Sequence, residues 1–174
     1  IDCSLFNDSK FLIYNAMRDI NKNVIISNGI HTDTIFNGLK LGKSFFSSLK
    51  FEKHESDIPN FTPRIAGLLE QSKKTISIMK ISKSDFSIDK SSHHFYKYST
   101  IKSGYGYCIT TYMGEDTPLP SFKEDPILVP LQGNASEIAN FYWNGLNAKN
   151  RVSIFTREIL NSGIDNYKII NGCI

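Results

Sequence analysis

The sequence predicts an α+β chain of stacked sheets flanked by helices, with strands predominating. Short runs rich in Ile, Val, Phe and Tyr, several with apolar and polar residues in alternation, recur along its 174 residues, as half-buried strands require. Helical spacing of apolar residues is confined to a few stretches. Asn-Gly, Gly and Pro punctuate the runs, and no repeat, low-complexity linker or composition break divides them. Strands outnumber helices too heavily for a helical bundle, and residues 1–174 read as a single domain.

Taken in order, Phe11-Leu-Ile-Tyr-Asn15 and Val24-Ile-Ile-Ser-Asn28 read as strands, the second stopped by the Asn28-Gly29 turn signal. The spacing then becomes helical. Ile35, Phe36 and Leu39 share a face, Thr32 or Asp33 is the expected N-cap, and Gly42 is the stop. Ser44–Leu49 forms a second short helix. Pro59 and Pro63 break the pattern into a loop that ends before Ile65. Thr75–Met79, His94–Tyr98 and Gly106–Tyr112 read as strands, and Pro118, Pro120 and Pro126 mark a rigid loop. Asn134 with Glu137 forms a capping box for a helix carrying Ile138, Phe141, Tyr142 and Leu146 on one side, and Val152–Thr156 alternates as the last strand.

Composition removes several classes of function. A hydrophobic share of 40% with 21% charged residues excludes a disordered tail, and no apolar run reaches the length of a membrane span. Twenty Lys and Arg against 17 Asp and Glu leave a net charge of only +3, with no basic stripe, so no nucleic-acid partner is expected. Cys3, Cys108 and Cys173 are odd in number, widely spaced and without a CxxC pair, which argues against a disulfide framework and a structural zinc site. A reducing cytosol is the expected compartment. The chain begins Ile1-Asp2-Cys3 rather than with Met, so Ile1 is not expected to be the biological start.

Two glycine patterns are set aside. Gly38-Leu-Lys-Leu-Gly42-Lys43-Ser44 has three residues between its glycines where a phosphate-cradling P-loop needs four. It also closes a helix, where the dipole repels anions. Gly104-Tyr-Gly106 lacks a third glycine and leads into a strand, so a bulge or close backbone approach is expected there. Cys108, in mid-strand, reads as a small buried hydrophobe. His93 and His94, adjacent on a strand, point to opposite faces and cannot share a metal.

Three segments carry more. Ser27-Asn28-Gly29-Ile30-His31-Thr32-Asp33 gathers five hydrogen-bonding side chains into a strand-to-helix turn. Such a turn either lines a pocket at a sheet edge or simply caps the helix; too few ligands are present for a metal. Pro59-Asn60-Phe61-Thr62-Pro63-Arg64 is stiffened by its two prolines, which fix Thr62 and Arg64, with Glu55 and Asp57 upstream as carboxylates. This is either a preorganised guanidinium site or an ordinary surface ion pair. Tyr112 with Thr117-Pro-Leu-Pro-Ser-Phe122 is a rigid loop after a strand, of a kind that is commonly scaffolding.

Together and in this order, Tyr14-Asn15, Ser27-Asn28-Gly29 with His31-Thr32-Asp33, and Asn60-Phe61-Thr62-Pro63-Arg64-Ile65 resemble the archaeal-type IMP cyclohydrolase family and its bacterial IMP cyclohydrolase-like relatives. Thr111-Tyr112 with Pro118-Leu-Pro-Ser-Phe122 resembles the bacterial branch, and the likeness runs from about Leu12 to Arg157. It implies a four-layer αββα sandwich similar to the N-terminal-nucleophile hydrolases, without a processed N-terminal nucleophile, so Cys3 inherits no catalytic role. Family members carry an N-terminal strand region with a Gly-Arg-Ser motif. Nothing before Leu12 matches it, and the resemblance implies that this region precedes Ile1.

The reaction implied is closure of the purine ring, in which 5-formamidoimidazole-4-carboxamide ribotide loses water to give IMP. That partner is a small purine ribonucleotide precursor, and the chemistry calls for no metal or organic cofactor. By the same resemblance Tyr14 is a proton donor or oxyanion ligand and Glu55 an acid/base group. Arg64 binds phosphate or orients a carboxylate. Asn15, Ser27, Asn28, His31, Thr32, Asp33 and Thr62 border the nucleotide, with Tyr14, His31 and Arg64 meeting at one cleft. A homo-oligomer is compatible with this reading. The alternatives are another amide or nucleotide hydrolase on the same scaffold, and a nucleotide-binding homologue without catalysis.

Overall fold

The computed structural model describes residues 13–160 and 165–172. Cys3, Cys173 and the first residues of the expected Phe11–Asn15 strand lie outside them, as does the region where the Gly-Arg-Ser motif was sought. The fold is α+β, with mostly antiparallel sheets and few helices. No described helix is long and apolar enough to cross a membrane. The chain forms two compact units, one ending at Ile101 and resuming over Cys108–Ile127, the other made of Lys102–Tyr107 and the chain from Leu128 onward.

The first unit is an antiparallel meander of five strands in the order β1 (Met17–Ile20), β2 (Asn23–Ser27), β3 (Arg64–Glu70), β4 (Thr75–Ser84) and β5 (Ser87–Tyr98). Each strand pairs with its neighbour in sequence. Between β2 and β3 the chain inserts α1 (His31–Lys40) and α2 (Phe45–Leu49). Side chains alternate across a strand, so Arg64, Ala66 and Leu68 of β3 share one face, opposite Ile81, Met79 and Ser77 of β4. That face meets the helices: Ile25, Ala66, Leu68, Met79 and Ile81 pack with Ile35, Phe45 and Leu49 into one buried cluster. The other face of β4 carries Ile78 and Lys80, both buried. Lys80 donates from Nζ to the carbonyls of Lys123 and Glu124, each at 2.9 Å, with its ammonium 5.4 Å from the centre of the Phe122 ring. The proline-bounded loop is thereby tied to the sheet, and burial pushes the Lys80 ammonium below its usual pKa.

In the second unit β6 (Tyr105–Cys108) and β7 (Ile127–Pro130) form a two-stranded sheet, followed by α3 (Ala135–Gly145) and the antiparallel pair β8 (Ser153–Glu158) and β9 (Asn166–Asn171). The capping box at α3 is complete: Asn134 Oδ1 accepts from the Ser136 and Glu137 amides, and Glu137 Oε2 accepts from the Asn134 amide.

Several expectations are corrected. The first strand is Met17–Ile20, and described residues 13–15 are not strand. Helix α1 begins at His31 after Ile30, which makes no side-chain cap bond, so neither Thr32 nor Asp33 is the N-cap. The bond of His31 to the chain at Ile65, described below, holds it in the first helical turn. Strands β4 and β5 run far beyond Thr75–Met79 and His94–Tyr98 because each extends the other across a hairpin. Strand β6 stops at Cys108, leaving Tyr112 in an isolated bridge to Ser121. Strands β3, β7 and β9 are not among those the pattern predicts. The expected short helix is Phe45–Leu49, with Ser44 as its N-cap rather than its first residue, and Gly106 lies where a side chain would strike Leu131. Cys108 is half-buried, its thiol pushed up by burial.

Gly38 sets the approach of the two helices: a Cβ there would lie 2.7 Å from Ser48 Cβ. Helix propensity alone makes Gly38→Ala stabilising by up to about 1 kcal/mol, whereas overpacking costs about 1–3 kcal/mol. We expect a net loss of stability, read as a lower urea midpoint at unchanged slope; a raised midpoint would mean that α2 can shift away.

Candidate active site

Arg64 opens β3 on the helix-facing side of the sheet, with its side chain only 8% exposed. A buried guanidinium needs partners for its charge and donors. Nε donates to the Lys53 carbonyl at 3.1 Å, and Nη1 lies 3.2 Å from Glu55 Oε1 and 3.4 Å from His31 Nδ1. His31 is fully buried at the start of α1, its Nε2 3.0 Å from the Ile65 carbonyl. A carbonyl can only accept, so Nε2 carries the proton and Nδ1 presents its lone pair to Arg64. Burial, and secondarily the Arg64 charge, lower the His31 pKa to about 4, so the ring is neutral at pH 7. Glu55 moves the other way. Burial and Asp57 raise its pKa against the opposing pull of Arg64.

The backbone makes this convergence possible. A Cβ on Gly29 would lie 2.5 Å from Arg64 Nη1 and 3.1 Å from His31 Nδ1, so a side chain there would push the guanidinium off its present position. Asn28 staples the end of β2 to the start of β3. Its Nδ2 donates to the Pro63 carbonyl and to Thr111 Oγ1, and its Oδ1 accepts from the Ile65 amide. Ser27 Oγ and Thr32 Oγ1 bond each other, and both reach the Gly29 carbonyl, so one hydroxyl donates to the carbonyl and the other to its fellow hydroxyl.

The loop before β3 is closed just as tightly. Asp57 accepts from the Thr62 amide and hydroxyl, the Phe61 amide donates to the Asp57 carbonyl, and the Glu55 amide donates to the Thr62 carbonyl. Phe61 takes a φ of 47°, a left-handed conformation costing a residue with Cβ about 1–2 kcal/mol. Thr62 Oγ1 also meets the Tyr112 hydroxyl, and Asn60 Oδ1 accepts from the Leu119 amide, so the third segment is bonded to the second.

Glu55, Arg64 and His31 thus form one connected chain, with Gly29, Asn28, Ser27, Thr32, Asp57 and Thr62 holding its backbone. Asp33 belongs to a neighbouring cluster. It accepts from Asn15 Nδ2 at 3.2 Å and from Arg18 Nη1 at 2.7 Å, and Arg18 stacks on Phe36 at 3.4 Å. Tyr14 precedes Asn15 and is 37% exposed; of the three residues expected to meet at one cleft, Arg64 and His31 are in contact, and no bond among the described residues joins Tyr14 to them. A cavity of about 530 Å³ in the same unit is lined by none of the ten candidate residues. Among the described residues no three His, Cys, Asp or Glu side chains gather to hold a metal ion.

Sequence reasoning singled out neither Arg18 nor Thr111 as a site residue. Nothing local marks Arg18, since its partner Asp33 arrives from the next element. Thr111 could be suspected only through the Thr111-Tyr112 pair.

A buried imidazole–guanidinium–carboxylate chain on a mostly antiparallel α+β frame is an arrangement suited to acid–base work on a small anionic molecule. The family model for IMP cyclohydrolase-like proteins matches residues 2–163, and the chain belongs to that family. Membership supports a hydrolase-type enzyme of purine synthesis. No curated protein matches the chain.

The His31 environment has a measurable consequence. The unfolded chain takes up this proton near pH 6.5 and the folded chain only near pH 4, so the unfolded state binds more protons between the two. Unfolding free energy should therefore fall as pH drops through that window, by up to about 3 kcal/mol. Glu55, with its raised pKa, contributes in the opposite sense, so the quantity to measure is the difference in denaturant stability between wild type and His31→Gln. The variant should lose this part of the slope; parallel curves would mean that His31 is not held neutral by the fold.

Proposed function

We propose that the chain closes the purine ring of 5-formamidoimidazole-4-carboxamide ribotide, giving IMP and water. The observation that carries this reading is the Arg64 guanidinium, buried between Glu55 at 3.2 Å and His31 at 3.4 Å, in a chain of the IMP cyclohydrolase-like family. In the reaction the carboxamide nitrogen attacks the formyl carbon of the same molecule, forming a C–N bond and a tetrahedral carbinolamine. The former formyl oxygen then leaves as water, carrying one proton from the carboxamide nitrogen and one from the formamide nitrogen. Every atom lost is in the substrate, so the enzyme's tasks are to fold the two groups together, move protons and stabilise charge on oxygen. No metal or organic cofactor is needed for these tasks.

In this reading Tyr14 donates to the developing oxyanion. Glu55 takes and returns a proton, a role that its raised pKa favours. Arg64 orients Glu55 or holds the phosphate. Asn15, Asp33 and Thr62 border the nucleotide, and Ser27, Asn28, His31 and Thr32 shape the floor. The same reading takes the fold as a four-layer αββα sandwich of the N-terminal-nucleophile hydrolase type, supported by a five-stranded antiparallel sheet with α1 and α2 on one face, and takes the cytosol as the compartment where such a substrate is met.

The test is an ultraviolet assay of ring closure with the formylated ribotide. We expect turnover by the wild type, and a loss on the order of a hundredfold in Tyr14→Phe with nucleotide affinity nearly unchanged. Full activity of that variant would remove Tyr14 from the mechanism. Substrate binding without IMP formation would identify a nucleotide binder without catalysis, and hydrolysis of a different amide would identify another reaction on this scaffold.

A further inference from the structure

At the far end of α1 from His31, the cavity of about 530 Å³ opens between the helices and the sheet. Helix α1 spans ten residues, so the two places are about 15 Å apart along its axis. The volume suits a ring-bearing small molecule, falling in the range of ligand pockets. One wall is aromatic. Phe46 and Phe95 meet edge to face at 4.6 Å between ring centres, and Phe46 keeps 53% of its surface exposed. Solvent-facing phenyl surface beside a concavity is a ready contact for a flat ring.

The polar side of the cavity is unbalanced. It carries Lys43, Lys73 and Lys97 against a single acidic residue, Glu70. Both Glu70 oxygens are engaged, Oε1 with Lys73 Nζ at 2.6 Å and Oε2 with the Thr75 hydroxyl at 3.0 Å. No ion pair joins Lys43 or Lys97 to another described residue, although the Lys97 charge acts on Glu70 at longer range, and both lysines line this hollow of ligand size together with Ser77; the Ser44 hydroxyl is already committed to Ser47 as the α2 cap. Confinement in a concavity separates this from the solvated basic stripe that nucleic acid requires.

We propose that this cavity is a second binding site, distinct from the Arg64 centre, for a small phosphorylated molecule bearing a flat ring. Lys43 and Lys97 hold the phosphate, their two full charges outweighing the roughly half negative charge that the α1 C-terminus presents beside Lys43, and the Phe46–Phe95 wall takes the ring. The site does not depend on the ring-closing reaction and stands or falls separately from it.

The test is a titration of the ¹⁵N-labelled protein followed by NMR, with AMP as probe and adenosine and inorganic phosphate as its separated halves. AMP should shift the amides of Gly42, Lys43, Ser44 and Ser77 saturably, while adenosine and phosphate each bind there at least about tenfold more weakly. The Lys43→Ala/Lys97→Ala double variant, altered only at exposed side chains, should weaken AMP at those amides by about tenfold or more, and Arg64→Lys should leave the shifts unchanged. Absence of saturable shifts at millimolar AMP, shifts confined to the His31–Ile65 region, or equal affinity in the double lysine variant would each overturn the proposal. So would adenosine or phosphate binding as tightly as AMP.

Discussion

A guanidinium cannot give up its proton, so wherever Arg64 is buried the fold must bring its partners to it. That constraint organises the first unit. Glu55 supplies the countercharge, the Lys53 carbonyl takes the Nε proton, and a neutral His31 offers the lone pair of Nδ1. A protonated imidazole would set two cations 3.4 Å apart and leave one donor facing another. The depressed pKa of His31 is therefore a condition of burying Arg64 this way.

Keeping three such groups in register requires a stiff frame, and much of the polar capacity near the site is spent on it. Both amide protons of Asn28 are used within the protein, and the Ser27 and Thr32 hydroxyls are committed to each other and to the Gly29 carbonyl. Asp57 closes the 57–62 loop with three bonds, while Phe61 is held in a conformation it would otherwise avoid. Glycine at position 29 suits the same packing, since a side chain there would push the guanidinium off its present position.

What could be read from the sequence tracks how local the cause is. The capping box at Asn134, the short helix that follows Ser44 and the α+β character depend on residues a few positions apart, and each appears where the pattern puts it. The start of α1 was misread because Thr32 and Asp33 have the chemistry of caps, while the deciding bond of His31 reaches to Ile65, 34 residues away. The length of β4 was missed because Ile78, Met79, Lys80 and Ile81 are buried on both faces, and a lysine in that run breaks the expected alternation. Its burial depends on carbonyls at Lys123 and Glu124 that no local pattern announces. Within the site, the prolines around Thr62 and the proximity of Glu55 to Arg64 in sequence pointed to a preorganised pair. The bonds of Asn28 to Thr111 and of Thr62 to Tyr112, across 83 and 50 residues, exist only once the chain is folded.

The division between spent and unspent polar groups bears on the chemistry proposed for the site. A group already satisfied by the protein can orient a ligand only by giving up a bond, which costs about as much as the new contact returns. Asn28, Ser27 and Thr32 are in that position, and what they do in the fold is hold the backbone around Arg64 and His31. A group that moves protons must have capacity to exchange. Glu55 has a raised pKa and pairs with Arg64 through Oε1, and it is the group of the Arg64 centre with that freedom. In the ring closure proposed here, the substrate already contains both reacting groups and the water it will lose. What that proposal asks of the chain is a fixed charge beside a group that can exchange a proton, and the fixed charge is the Arg64 guanidinium that the fold buries between Glu55 and His31.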